Sequence, residues 1–180
     1  MKYLFASDIH GSAYYCKKLL DVYKTSGAGR LILLGDILYH GPRNELPKDY
    51  NPKEVFAMLN NYKDQIYAIR GNCDSEVDQM VLEFPMMADY ALLSLNGKTI
   101  YATHGHIYNE DNLPPVMEGD ALIFGHIHLP VAGKKDGVFF LNPGSVSLPK
   151  GGNPCSYAVL EDNVFQILTF EGEVLKEITL

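Results

Sequence analysis

The chain is short of positive charge. It carries 15 Lys and Arg against 22 Asp and Glu in 180 residues, a formal net charge of −7. A general nucleic-acid binder needs a basic face, so no stable nucleic-acid complex is expected, although a nucleotide stays open as a substrate. Cysteine pairs are lacking too. Cys16, Cys73 and Cys155 are an odd number at distant positions, which fits a reduced, cytoplasmic setting rather than a disulfide framework. No apolar run approaches the ~20 residues of a membrane span, and no membrane association is expected. The segment from Met1 to Asp8 has too short an apolar core for a signal peptide. Repeats, linkers and low-complexity tracts are absent. A length of 180 residues with 47% hydrophobic side chains suffices for one domain, 1–180, with a real core.

What is present is organised around Arg30-Leu31-Ile32-Leu33-Leu34-Gly35-Asp36. A continuous apolar run closed by Gly reads as a buried central strand. Asp36 then stands just past its carboxyl end, where ligands bind in open α/β sheets. An isolated buried carboxylate is costly, so it must be solvated, paired or bound to metal. We read Asp36 as a bridge between two metal ions.

The rest of the chain is consistent with this. Tyr3 to Ser7 reads as a strand ending in Asp8-Ile9-His10-Gly11. A helix is predicted from Ser12, its N-cap, to about Ser26, with Gly27 as its stop. Strand, helix and strand make a parallel βαβ unit. Ile37 to Pro52 is an irregular loop of about 15 residues, a length more often functional than idle. A second helix is predicted over Lys53 to Tyr62, and a strand over Gln65 to Ile69 leads into Asn72. Asn96-Gly97 predicts a hairpin between Tyr90–Leu95 and Lys98–Thr103. The second hairpin strand ends in His104-Gly105-His106. A loop with a short helix between Asn112 and Gly119 is expected next. Ala121 to Phe124 is another buried strand, ending in Gly125-His126-Ile127-His128. Further strands are read around Asp136-Gly137 and in three segments up to Leu180.

Five strands therefore end in candidate ligands: Asp8 and His10, Asp36, Asn72, His104, and His126 with His128. In extended chain, Asp-x-His and His-x-His would each point two ligands the same way along one sheet edge. Mixed carboxylate, imidazole and amide donors suit Mn, Fe, Co, Zn or Ni. One bridging carboxylate lets two cations lie ~3.5–4 Å apart. Taken singly, each residue has a plainer role. Asp8 and Asp36 could cap helices, Asn72 after Gly71 could be turn chemistry, and the histidines could lie on the surface. His40 is read as an ordinary loop residue. Arg43 lies in the loop that begins at Asp36, and its guanidinium can pair two phosphate oxygens or simply rest in water.

Asp8-x-His10, Gly35-Asp36, Gly71-Asn72-x-Asp74, His104 and Gly125-His126-x-His128, in this order, resemble the calcineurin-like metallophosphoesterase superfamily. The short chain, Gly71-Asn72-Cys73-Asp74 and Asn142-Pro143-Gly144-Ser145 are similar to its small prokaryotic, YfcE-type phosphodiesterase branch. The resemblance implies an α/β fold, a four-layer αββα sandwich of two packed mixed β-sheets flanked by helices. It implies two divalent metal ions, one held by Asp8, His10, Asp36 and His128, the other by Asp36, Asn72, His104 and His126. The implied activity is hydrolysis of a small phosphodiester or nucleotide-like ester by metal-activated hydroxide. Manganese is the expected ion, with Zn, Fe, Ni, Co or Mg as alternatives. Many members carry His directly after the Asn, where it contacts phosphate; here that position is Cys73. A thiol cannot be cationic and is a weak proton donor. Cys73 is expected to shape the phosphate pocket, and His106 is an alternative acid. Asn72, Cys73, His104 and His106 are thus the catalytic candidates, and Arg43, Cys73 and His106 the substrate-binding ones. A homo-oligomer, dimer or tetramer, is expected. Two other functions are compatible with the resemblance. One is a protein-binding scaffold, as in a small retromer subunit with an impaired site. The other is a nuclease, for which this chain lacks the extra length and basic charge.

Overall fold

The computed structural model describes residues 2–180. Its layers follow from the alternation of side chains along the buried strands. In β1 (Tyr3–Ala6), Leu4 and Ala6 meet helices while Tyr3 and Phe5 face a second sheet. In β2 (Arg30–Leu33), Leu31 and Leu33 face the helices and Ile32 the second sheet. Burial on both faces is why these strands read as unbroken apolar runs. Between them lies α1 (Ala13–Ser26). Ser12 Oγ accepts the Tyr15 N–H at 3.3 Å at its start, and Gly27, with φ 73°, ends it. β1 and β2 pair in parallel, as predicted.

α2 (Pro52–Asn60) begins at Asn51, whose side chain accepts the Glu54 N–H. β3 (Ile66–Ala68) pairs in parallel with β2. The one-turn helix α3 (Glu76–Gln79) is too short to leave a periodic signal in the sequence. β4 (Tyr90–Leu95) and β5 (Lys98–Thr103) form the hairpin around Asn96-Gly97, both of which have positive φ. β6 (Ala121–Ile123), β7 (Pro130–Lys135) and β8 (Val138–Pro143) complete a five-stranded sheet in the order β4-β5-β6-β8-β7. β9 (Ser156–Glu161), β10 (Val164–Thr169) and β11 (Val174–Thr179) join the first three strands in the order β11-β10-β9-β1-β2-β3. Both sheets mix parallel and antiparallel pairs.

The sheets pack face to face around Phe5, Phe165, Ile100, Ile123 and Leu141. Truncating a fully buried Phe to Ala in such a core costs about 3–5 kcal/mol. α1 and α2 cover the outer face of the six-stranded sheet. The outer face of the other sheet, with Tyr101, Leu122 and Phe140, is covered by Tyr108 and Val116. The short helix expected between Asn112 and Gly119 is not formed; the segment is turns and bends. Pro114 and Pro115 remove two N–H donors from what would be two helical turns. The outermost layer on this side is a packed loop. No described helix is long and apolar enough to cross a membrane.

Candidate metal centre

The parallel strands of both sheets bring their carboxyl ends to one place. β1, β2 and β3 are neighbours and lead to Asp8, Asp36 and Asn72. In the other sheet, β5 and β6 are neighbours and lead to His104 and to His126 and His128. The site therefore straddles two sheets rather than following one edge. The Asp8 carboxylate ties them together, Oδ2 accepting the His126 N–H at 3.1 Å.

The ligand-bearing segments are not extended. Asp8, His10, Asp36, His126 and His128 have φ of 59°, 49°, 53°, 65° and 59°. This left-handed region is unfavourable for residues with a Cβ, and such strain clusters at functional sites. The turns re-aim the side chains. Asp8 and His10 still converge, Oδ1 to Nε2 at 3.5 Å. His126 and His128 diverge. His128 Nε2 lies 3.1 Å from Asp8 Oδ1 and 3.2 Å from His10 Nε2, whereas the His126 ring lies 5.1 Å from the His104 ring.

Asp36 stands between the two groups. Its Oδ2 is 3.7 Å from His10 Nε2 and 3.4 Å from His104 Nε2, and its Oδ1 accepts the Cys73 N–H at 2.8 Å. Asn72 Oδ1 is 3.1 Å from His104 Nε2. Two glycines permit this approach. Gly35 has φ 96°, and a Cβ there would lie 2.5 Å from Gly71 N; a Cβ on Gly71 would overlap the Asp36 carboxylate.

Hydrogen bonds set the imidazole tautomers. His10 Nδ1 is 2.8 Å from the Tyr39 carbonyl, His104 Nδ1 2.6 Å from that of Leu34, and His128 Nδ1 2.6 Å from that of Leu148. A carbonyl only accepts, so each Nδ1 carries a hydrogen and each neutral ring offers a bare lone pair at Nε2. His10 and His128 thus turn two lone pairs toward each other. Asp8 Oδ1, beside both, is buried without a hydrogen-bond partner. Such an arrangement demands positive charge. Imidazole nitrogens with carboxylate and amide oxygens fit a divalent transition metal or zinc. Donor atoms of Asp8, His10 and His128, of Asp8, Asp36 and His104, and of His10, Asp36 and Cys73 each lie within 4.8 Å of one another. The residues present fit metal ions.

The electrostatics agree. Burial opposes ionisation of Asp8, yet His10 and His128 hold its pKa well below the carboxylate value. Burial likewise opposes ionisation of Asp36, and His104 lowers its pKa. Burial also works against charge on His104, but Asp36 and Asp8 push it up to about 9. The cluster attracts cations, whether protons or metal ions. Burial and then His104 lower the pKa of both His106 and His126. Burial, reinforced by Asp36, pushes the Cys73 thiol up to about 12, so it is protonated at neutral pH.

A cleft of about 510 Å³ opens over this floor. Asp36, Asn72, Cys73, His126 and His128 line it, with Gly41 to Asn44, including Arg43, and Ile127 and Lys150 as walls. His106 sits beside the second group, its ring 5.3 Å from that of His104 and its buried Nδ1 unpartnered. His40 is turned aside and packs edge-on to Tyr39 and Tyr50.

Sequence reasoning did not single out several residues that support the site. Asp74 accepts three backbone N–H groups, from Asp36, Ile37 and Gly71. Burial pushes its carboxyl up to about 6 against the pull of these donors. Ser145 and Ser147 both donate to the Asp8 carbonyl. Ser145 and Asp74 lie within quoted motifs, a signal that could have found them. Lys150 lies in none.

Comparison with known proteins completes the description. The family model for the calcineurin-like phosphoesterase superfamily domain matches residues 1–163. Phosphodiesterase YfcE of Escherichia coli strain K12 is 47% identical over 173 residues, covering 96% of this chain and 94% of YfcE. The solved structure of E. coli YfcE, a phosphoesterase, matches with a TM-score of 0.98 at 45% identity over 99% of both chains. The probable metallophosphoesterase YsnB of Bacillus subtilis strain 168 is 28% identical over 132 residues, covering 69% of this chain and 68% of YsnB.

Proposed function

This chain belongs to the calcineurin-like phosphoesterase superfamily, and from that membership we propose that it is a phosphodiesterase hydrolysing small phosphate esters at a dinuclear metal centre. The observation that carries the proposal is Asp36, whose Oδ2 faces His10 Nε2 at 3.7 Å and His104 Nε2 at 3.4 Å. Asp8, His10 and His128 would hold one ion, Asn72, His104 and His126 the other, with Asp36 shared. When bound, two divalent ions would supply Lewis acidity toward the phosphate and an activated water; manganese is our first choice.

The chain's own groups do the rest. The carbonyls of Tyr39, Leu34 and Leu148 fix three imidazoles in the ligating tautomer. Neutral histidines and the Asn72 amide limit negative charge, so the site accepts an anion. Cys73, a neutral thiol at the floor, shapes the phosphate pocket. Arg43 on the wall is suited to the non-reacting part of the ester. His106, its ring 5.3 Å from that of His104, is the alternative acid; burial and His104 keep it neutral, so it would act only after taking up a proton. A complete donor set argues against a purely scaffolding role.

We further propose a cytoplasmic enzyme, consistent with three free cysteines, and a homo-oligomer, which light scattering would measure. A panel of phosphomonoesters, phosphodiesters and nucleotides, assayed with each divalent metal, tests the function. Absence of metal-dependent hydrolysis across the panel would reject it.

A further inference from the structure

We infer that Lys150 and Arg43 form a subsite for a second anionic group, so that the preferred substrates are phosphodiesters whose organic part carries a further phosphate. This rests on the phosphodiesterase reading. Lys150 and Arg43 come from segments more than a hundred residues apart, yet both line the one cleft above Asn72, Cys73 and His126.

Lys150 is held in place from both sides. Its N–H donates to the His128 carbonyl at 3.0 Å. Two residues earlier, the Leu148 carbonyl accepts from His128 Nδ1 at 2.6 Å. The carbonyl of Lys150 itself accepts from Asn153 Nδ2 at 2.8 Å. The backbone that carries this ammonium is therefore hung on a candidate metal ligand.

Neither cation is neutralised within the protein. Lys2, Lys18, Lys24, Lys63 and Arg70 each pair with a carboxylate. Among the described residues the other ten of the 15 basic side chains pair with no carboxylate, and of these ten Arg43 and Lys150 are the ones that line this cleft. In a chain where acids outnumber bases by 22 to 15, two unpaired cations on one cleft mark a local positive field.

Charge and size say what they await. Two divalent ions against Asp8, Asp36 and one bound hydroxide would leave a surplus of one positive charge, and Arg43 and Lys150 would raise it to three. A simple phosphodiester carries one negative charge and leaves most of that surplus unmatched. A phosphate monoester on the substituent adds about 1.5 to 2 more. The cleft volume of about 510 Å³ falls in the range that encloses a drug-sized ligand. Pro42 and Ile127 on the same walls give apolar contact to the linking organic part.

The test uses the metal-loaded enzyme and the variants Lys150→Met and Lys150→Arg. Neither substitution touches the backbone hydrogen bonds of residue 150, and thermal unfolding verifies the fold. The substrates are the p-nitrophenyl ester of a nucleoside 5′-monophosphate, with and without a 3′-phosphate. Lys150→Met is expected to raise KM for the 3′-phosphorylated ester about ten-fold more than for its partner, the scale of one charge-assisted phosphate contact. Lys150→Arg should restore the ratio to within about two-fold, because charge and reach are kept. Calorimetry gives an independent readout: the affinity ratio of nucleoside 3′,5′-bisphosphate to 5′-monophosphate should fall by the same factor in Lys150→Met. Equal effects on both ligands, or none, overturn the subsite even if hydrolysis proceeds. If the wild type hydrolyses neither ester with any divalent metal while the calorimetric ratio still depends on Lys150, the phosphodiesterase reading fails and the subsite stands.

Discussion

Asp74 Oδ2 accepts the Asp36 N–H at 2.8 Å across 38 residues of sequence, and the Gly71 N–H at 2.7 Å. One carboxylate thereby clamps the turn after β2 to the turn after β3. Asp36 and Asn72, proposed to serve one metal together, are set against each other by a residue outside the proposed donor set.

The clamp can be released. Asp74→Asn replaces one acceptor oxygen by a donor facing N–H groups. It is expected to weaken divalent-metal binding about 10- to 100-fold. Asp74→Ala strands three buried N–H groups and should cost on the order of 3 kcal/mol of stability or more. Metal titration and thermal unfolding measure the two effects; unaltered metal affinity in Asp74→Asn would show that the clamp does not position the ligands.

Chelation should abolish hydrolysis of an activated phosphodiester, and Mn²⁺ should restore it. Asp36→Asn should reduce kcat/KM by about three orders of magnitude, ~4 kcal/mol of barrier, and by more than His128→Ala, because Asp36 is proposed to serve both ions. Full activity in Asp36→Asn would end the two-metal reading.

Cys73→Ser should keep both metals, measured by elemental analysis, with a rate loss of about ten-fold or less. Cys73 lies outside the proposed donor set, and without metal, burial and Asp36 keep its thiol protonated. Cys73→His should speed turnover of monoesters with poor leaving groups, because imidazole is the better proton donor. Loss of a metal in Cys73→Ser would instead make the thiol a ligand, joined to His10 and Asp36.

Arg43→Ala should raise KM for a charged nucleotide diester more than it lowers kcat, and more than it raises KM for a small aryl ester. A wall contact with the non-reacting part contributes to binding rather than to the chemical step. Steady-state kinetics on both esters decide the matter, and equal effects on the two would place Arg43 at the transferred phosphoryl group.

Gly71→Ala tests how closely the backbone approaches the site. Its φ is not in the left-handed region, so the cost of the added methyl comes from its overlap with Asp36, both the carboxylate and the backbone nitrogen. Metal affinity should drop at least ten-fold. Gly152→Ala, where a Cβ meets nothing within 4 Å at φ 75°, carries only the left-handed penalty of about 1–2 kcal/mol. Similar metal binding in the two variants would contradict the packing described.

Much of this architecture is legible in the sequence for identifiable reasons. Leu31 to Leu34 can be apolar throughout only if both faces are buried, and Gly35-Asp36 then marks the strand end. Asn96-Gly97 reads as a hairpin because both residues tolerate positive φ. The left-handed turns at Asp8, His10, His126 and His128 are hidden, since Asp and His visit that region more often than most side chains but still only occasionally. So are the carbonyls of Leu34, Tyr39 and Leu148, because backbone acceptors have no residue type. Lys150 is invisible for a related reason: its place depends on its own N–H and on a carbonyl two residues away. The short helix expected between Asn112 and Gly119 gives way to a loop because Pro114-Pro115 interrupts it, and Val116 packs on the second sheet from that loop.

The carbonyl of Leu148 has a consequence for the order of synthesis. All seven candidate donors lie before residue 129, but His128 takes its orientation from residue 148, and Asp8 is held by Ser145 and Ser147. β9, which pairs with β1, lies later still. A growing chain thus carries all seven candidate donors before it can aim them, and ordered metal capture is expected only once residues 145–148 have been made.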